Sequence, residues 1–443
     1  MRRSQNWLLG AVGVVLLVNL GVGAVLYARE AEERGENQVF EKVSIMMRVL
    51  HLIRQDYVDA ERVEPETLIY NAMRGMVGAL DPFSSFLDPE QYERMRESTE
   101  GQFGGFGVVV TMRNNVLTVV TPLEGTPGSK AGLRAGDRIV AIDGETTQGM
   151  TLQEAVQRMK GEPGTEAEFT IVRQGADAPL TKTIERAIIE VPTVKNVTTL
   201  EGDIGYLRIT QFNEPTSDLM RDAVDSLGDK KIRGLIVDVR NNPGGLLESA
   251  VEVADLFLPS NKLVVSTEGR RPSQKQKFYT HKPARLPDIP VAVLANEGSA
   301  SAAEILAGCL QDWKRAIMIG EQTFGKGSVQ NVIALPDGSA LRLTTAMYYT
   351  PSRRVIHENG LKPGIRVPLT EEEQDQVLKW QHDVARQQKG EIFIDPQIQR
   401  ALDVLQSYDS FTEARNSQYK ELRQPPQEGE ETSRQVRPPE TSP

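Results

Sequence analysis

Residues 291–330 constrain this chain more than any other stretch. Val291-Ala292-Val293-Leu294-Ala295 is too short for a helix and has no polar alternation, so it reads as a strand buried on both faces. A turn of small residues follows, Asn296-Glu297-Gly298-Ser299-Ala300-Ser301, and then a helix over 302–310 with Ile305, Leu306, Cys309 and Leu310 as its apolar stripe. A second apolar strand at 316–319 leads into Gly320-Glu321-Gln322-Thr323-Phe324-Gly325-Lys326-Gly327. The pattern fixes an α/β arrangement. It sets two serines at a strand-to-helix turn, at the positive end of a helix dipole, and a lysine between glycines close behind.

The neighbouring residues extend the same alternation. Strands are expected at 204–209, 234–240, 329–334 and 340–349, with helices at 219–227 and 246–258. Between the strand at 234–240 and its helix lies a tight loop, Asn241-Asn242-Pro243-Gly244-Gly245. Residues 101–190 differ in character. The lead-in Gly104-Gly105-Phe106-Gly107, strands at 108–111, 116–121 and 168–173 and a helix at 152–159 mark a β-rich module. Its run Ala131-Gly132-Leu133-Arg134-Ala135-Gly136-Asp137-Arg138-Ile139-Val140-Ala141-Ile142-Asp143-Gly144 resembles a PDZ domain. That resemblance implies that a peptide adds as a strand beside Val108, with its carboxylate at the amides near Phe106 and Gly107 and its side chain over Val156 and Met159. The bland alternative is a glycine-rich hairpin without a ligand.

The N-terminal region is of another kind. Arg2 and Arg3 precede an apolar run over 7–28, at about 22 residues long enough to span a bilayer. An uncleaved anchor over 1–29 is preferred to a cleaved signal, and positive charge on the short side places the remainder outside the cytoplasm. Residues 38–100 read as helical, with Phe40, Val43, Met46, Met47, Leu50, Ile53 and Tyr57 at helical spacing and the methionines expected in packing. A helical segment at 371–406 and a polar, proline-containing tail at 407–443, read as disordered, complete the chain.

Composition narrows the chemistry. A net charge of −10 disfavours nucleic acid as a partner, and one cysteine, read as core, excludes an internal disulfide. No His/Cys/carboxylate cluster has metal-ligand spacing, so no metal and no other cofactor is expected. A nucleophilic serine needs a base. Of the four histidines, His357 is the best placed and still poorly so, which leaves Lys326. An ordinary lysine near pKa ~10.4 cannot accept a proton at neutral pH, and lowering it by about three units takes about 4 kcal/mol, which burial can supply. Phe324, Gly325 and Gly327 suit a dry niche, and Glu321 is the nearby acid. The bland reading, a turn serine and a solvated lysine, remains open on spacing alone. Gly320 to Lys326 fits the first seven positions of a P-loop, but Gly327 replaces the magnesium-binding hydroxyl and a strand follows, which excludes nucleotide binding. The 241–245 loop lacks the dinucleotide pattern. Its glycines suit an oxyanion hole, with a simple tight turn as the alternative.

Three motifs together resemble the carboxyl-terminal processing (tail-specific) protease family: Leu235-Ile236-Val237-Asp238-Val239-Arg240-Asn241-Asn242-Pro243-Gly244-Gly245-Leu246, Gly298-Ser299-Ala300-Ser301-Ala302-Ala303-Glu304-Ile305, and Thr323-Phe324-Gly325-Lys326-Gly327-Ser328-Val329-Gln330. The resemblance runs over about residues 40–405. It implies a mixed-sheet α/β protease core at 191–370 carrying a PDZ domain at 101–190, with Ser301 as nucleophile, Lys326 as general base and Gln330 orienting the amine. It implies an oxyanion hole at the N–H groups of Gly245 and Ala302, and Ser299 as a turn residue. Lys160 stands where the family commonly has arginine, a position tied to gating by the PDZ domain, and lysine lacks the fork of donors. The expected activity is endoproteolysis near flexible C-terminal tails by an enzyme anchored in the inner membrane and facing the periplasm, with protein substrates and a homo-oligomer or activating adaptor as further partners. The competing expectation is a catalytically silent PDZ adaptor that only captures tails.

Overall fold

The computed structural model describes residues 39–123, 125–286, 289–382 and 395–407. The expected anchor at 7–28 and the polar tail after 407 lie outside the described residues. No helix among the described residues is long and apolar enough to cross a membrane. The chain divides into two compact units, residues 1–88 and 89–443.

In the first unit, residues 39–56 are helical, as their spacing predicts. The apolar stripe nevertheless faces outward: Phe40 is 70% and Met47 54% exposed, which corrects the expectation that these residues pack. A second helix, Pro65–Gly78, starts on proline with the Glu64 carboxylate accepting from Thr67 N–H. It ends before Asp81, whose carboxylate gathers the N–H groups of Phe83 and Ser84.

The second unit holds a six-stranded sheet in the order Val194–Leu200, Ile204–Ile209, Gly234–Asp238, Val291–Ala295, Ala316–Gly320, Ile365–Arg366. The first pair is antiparallel and the remaining pairs are parallel. Parallel strands need cover on both faces, which is why their sequences lack polar alternation. Side chains still alternate with a period of two. Leu235, Val237, Val291, Val293 and Met318 pack against the helices Thr216–Asp229, Leu247–Ala254 and Ala302–Asp312. Ile236, Ala292, Leu294, Ile317 and Ile319 pack against the helix Pro396–Gln406.

An antiparallel sheet joins Ser328–Ala334, Ala340–Tyr349, Leu263–Gly269 and Gln276–Tyr279 in that order. The β-rich module forms its own sheet, Val108–Arg113, Val116–Pro122, Arg138–Ile142, Glu166–Val172 and Leu180–Glu185. Its core is Phe106, Leu117, Ile139, Phe169 and Ile171. A two-stranded ribbon, Gln102–Gly105 with Ala187–Glu190, carries the chain into and out of it.

Candidate active site

In open α/β sheets ligands collect at the carboxyl ends of parallel strands. Three loops leave that edge side by side: 241–245 after Gly234–Asp238, 296–301 after Val291–Ala295, and 321–327 after Ala316–Gly320. Side-chain and backbone bonds stitch them together. Ser299, wholly buried, donates to the Val239 carbonyl at 2.7 Å, Ala300 N–H donates to the Asn242 carbonyl at 2.9 Å, and Phe324 N–H donates to the Ser299 carbonyl at 3.0 Å. Asn296 and Asn241 exchange two bonds of 2.8 and 3.0 Å.

Ser301 stands where the turn becomes helix, with φ 56° and ψ −116°. A non-glycine residue in that region is strained, and such a turn projects its hydroxyl away from the strand. Gly244, at φ 101°, passes directly over it: a Cβ added there would lie 2.6 Å from the Ser301 Cβ and 2.9 Å from the Ala302 nitrogen. The loop is held to that approach from the other side, since Phe212 N–H donates to the Gly244 carbonyl at 2.9 Å and Leu246 N–H to the Phe212 carbonyl at 2.8 Å.

The part of the site that sequence reasoning did not find is Glu304. Its side chain is 0% exposed and accepts four hydrogen bonds. They come from Ser301 N–H at 2.9 Å, Lys326 N–H at 2.9 Å, Gly325 N–H at 2.8 Å and the Thr323 hydroxyl at 2.5 Å. Thr323 Oγ1 in turn accepts from Leu361 N–H at 2.7 Å, so its proton points at Glu304. Every neighbour is therefore a donor, the arrangement that suits an ionised carboxylate. Burial pushes the Glu304 carboxyl up, against the four bonds that pull it down. One anion thus fixes the backbone of the serine turn and of the lysine loop together. The sequence did carry a signal: Ser301-Ala302-Ala303-Glu304 has the spacing of a capping box.

Lys326 is half-buried, and its amine lies below the ordinary lysine value. Burial is the main cause, the Arg342 charge adds to it, and Glu304 opposes. The acid that acts on the amine is therefore Glu304, not Glu321, which accepts from Leu369 N–H. Phe324 does not supply the dry niche, since it is 58% exposed. The cover comes from Tyr348, which is 2% exposed and donates through its hydroxyl to the Lys326 carbonyl. Burial raises the Tyr348 phenol well above its usual value, and its hydroxyl neighbours that of Ser301. Gln330 donates to the Ser328 hydroxyl at 2.9 Å and to the Thr344 hydroxyl at 3.3 Å.

Ser301, Lys326, Gln330 and Gly245 all line one cleft of about 780 Å³, together with Tyr348 and Arg342. Ala302 is buried immediately beside it. No group of three or more metal-ligating side chains is assembled among the described residues. Of the residues expected to receive a peptide, Phe106 and Met159 are core side chains of the β-rich module, Gly107 is buried at φ 66°, and Val108 and Val156 are half-buried. Phe106 meets Phe169 edge-on at 4.8 Å. Lys160, at the C-cap of the helix Leu152–Met159, pairs with Glu97 and lies 4.9 Å over the Phe103 ring.

The chain is similar to several known proteins. The profile of peptidase family S41 matches residues 203–367, and that of a PDZ domain matches residues 118–173. A carboxy-terminal-processing protease of Bartonella bacilliformis is 45% identical over 360 residues, covering 80% of this chain and 82% of that protein. A carboxyl-terminal-processing protease of Synechocystis is 38% identical, covering 70% of this chain and 74% of that protein. A solved photosystem II D1 C-terminal processing protease is 30% identical, covering 72% of this chain and 91% of that one, at a TM-score of 0.42.

Proposed function

We propose, for a chain that belongs to peptidase family S41 and is a serine-type peptidase, that it cleaves proteins near flexible C-terminal tails through a Ser301–Lys326 dyad. The observation that carries the reading is the single carboxylate, Glu304, that holds the Ser301 and Lys326 backbones on one cleft, where the lysine amine is disposed to lose its proton.

The chemistry follows from that geometry. The neutral Lys326 amine takes the Ser301 hydroxyl proton as Oγ attacks the scissile carbonyl carbon. Negative charge moves to the carbonyl oxygen, where the N–H groups of Gly245 and Ala302 are the donors at hand. The 241–245 loop is pinned onto Ser301 in a manner that suits that role. Collapse breaks the carbon–nitrogen bond, and the leaving amine carries off the proton held by Lys326. Water, deprotonated by the same amine, then releases the acyl group from Ser301. Tyr348 holds the loop through the Lys326 carbonyl, and Gln330, bonded to Ser328 and Thr344, is the residue proposed to orient the amine.

Tail capture falls to the PDZ domain. Val108–Arg113 is the terminal strand of its sheet and lies beside the helix Leu152–Met159, the arrangement that suits addition of a peptide strand. The apolar run at 7–28 supports an inner-membrane anchor with the enzyme facing the periplasm. The silent-adaptor reading is not favoured, because the chain retains the serine, the lysine and their shared carboxylate. The test is cleavage of an unfolded protein with a free C terminus by the full-length chain in detergent. Ser301→Ala and Lys326→Ala should each abolish it, and continued cleavage by both variants would reject the dyad.

A further inference from the structure

We infer that Arg342 is a positioning residue for the reaction, acting through Lys326: its unpaired guanidinium keeps a second positive charge in the cleft that favours the proton-free amine. The inference rests on Lys326 being the general base.

The geometry begins with the strand Ala340–Tyr349. Pairing with Ser328–Ala334 sets Arg342 opposite Val332 and Thr344 opposite Gln330 on one side of it, and a bulge at Thr345 then shifts the register before Ala346 and Tyr348. Tyr348 beyond the bulge binds the Lys326 carbonyl, Thr344 accepts from Gln330, and Arg342 and Tyr348 line the same cleft as Ser301 and Lys326. Arg342 stands opposite Val332 in the antiparallel pairing, so the backbone fixes its position.

Arg342 has no counter-ion among the described residues. Its Nε is buried without an acceptor, and no described residue is hydrogen-bonded or ion-paired to the guanidinium. Two other arginines of the core are neutralised, Arg240 by Asp238 and Asp395 and Arg354 by Asp312, while Arg208 shares the unpartnered Nε but lies outside the cleft. A buried donor without a partner is costly and calls for a reason. A cation held beside an amine has a direct one, since a like charge disfavours the protonated form.

The same charge resolves a conflict within the site. Glu304 is needed to hold both loops, but its negative charge favours the ammonium form of Lys326. Arg342 supplies the opposing sign. The Tyr348 phenol, which stays protonated, lines the same cleft, and the His357 backbone packs on Gly327 next to the lysine. The remaining charges of the cleft are Arg96, Glu100, Glu214 and Glu248. Arg96 is already paired with Glu93 and Glu100.

The experiment is the pH dependence of kcat/KM for the full-length chain, using a quenched fluorescent peptide without acidic side chains, made with a free and with an amidated C terminus. The wild type should lose activity on the acid side as the amine becomes protonated. Arg342→Met and Arg342→Gln should each move that limb to higher pH by on the order of one unit, a roughly tenfold loss below it that is recovered above it. Arg342→Lys, which keeps the charge, should leave the limb in place. An unmoved limb in both neutral variants would overturn the inference. So would a change confined to KM for the free-carboxylate peptide, which would make Arg342 a substrate anchor instead. Lys326→Ala separates the two levels: cleavage by that variant sinks the dyad itself, whereas an inactive Lys326→Ala with an unmoved limb in the neutral variants sinks only the role of Arg342.

Discussion

Two carboxylates lie wholly buried in the protease core, and they are held in opposite ways. Asp238, within the sheet, is answered by a cation: Arg240 meets it through three bonds of 2.7–3.1 Å from Nε and Nη2 and reaches Asp395 at 2.8 Å and Gln397 at 2.9 Å. Tyr206 adds a hydroxyl bond at 2.8 Å. Glu304, at the carboxyl edge of the same sheet, accepts from three backbone N–H groups and one hydroxyl and pairs with no cation. The contrast separates two tasks. An ion cluster ties the strand before the 241–245 loop to the C-terminal helix, and a full positive charge does no harm there. Beside a lysine that has to shed a proton, orientation has to come from dipoles, because an ion-paired carboxylate would need its own cation at the place where the substrate enters.

The largest effect should come from breaking the ion cluster. Arg240→Met leaves Asp238 and Asp395 buried without a counter-charge, a loss of about 3–5 kcal/mol for such sites. The urea midpoint of the core transition should fall accordingly. Adding Asp238→Asn and Asp395→Asn to that variant should recover most of the loss, since no orphaned charge then remains. If Arg240→Met alone unfolds at the wild-type midpoint, the cluster contributes nothing to stability and the comparison loses its first half.

Glu304→Gln tests the second half and should act on rate more than on fold. The amide offers one acceptor oxygen and turns an NH₂ toward two of the four donors. The serine turn and the lysine loop then lose their common anchor. Displacements of about 1 Å in such sites cost on the order of 100-fold in kcat, or about 2.7 kcal/mol. Single-turnover cleavage measures it, and a Glu304→Gln enzyme with wild-type kcat would show that the two loops keep their geometry without the carboxylate.

These two centres were unequally legible in the sequence. The strands Gly234–Asp238, Val291–Ala295 and Ala316–Gly320 announce themselves because burial on both faces removes every polar residue but Asp238. The serine turn and the lysine loop are legible because glycines and small residues mark the close approaches. Glu304 stands inside one of the motifs yet is not legible as a site residue, because a glutamate in a helix reads as surface charge unless the loops folded over it are known. Arg342 and Tyr348 reach the cleft by pairing of Ser328–Ala334 with Ala340–Tyr349, and no local pattern reports which face of such a half-polar strand looks inward. Leu263–Gly269 and Gln276–Tyr279 are not legible as strands, being short and without clear polar alternation. The helix at 39–56 was legible as a helix but not as an exposed one, since periodicity reports a stripe and not what covers it.

Acid titration sharpens the comparison with the smallest of the expected effects. Burial pushes the Asp238 carboxyl up, but the Arg240 charge and its hydrogen bonds outweigh that, and the group lies below the ordinary aspartate value. Its contribution is therefore complete above the unfolded value near ~3.9 and is lost as pH falls through the lower folded one. Glu304, raised by burial, has the opposite sign: the folded state binds its proton more readily than the unfolded chain, so its term favours folding below about pH 4.3 and fades as pH rises through the higher folded value. Each unit of separation is about 1.36 kcal/mol. Urea midpoints followed from neutral pH into acid should then diverge by variant. Asp238→Asn should flatten the acid decline relative to wild type, because the titrating partner of Arg240 is gone. Glu304→Gln should steepen it, because the one core carboxyl that resists acid has been removed. Parallel midpoint curves for the two variants would mean that the cation-paired and the dipole-held carboxylates are energetically alike, and the division of labour drawn between them would not stand.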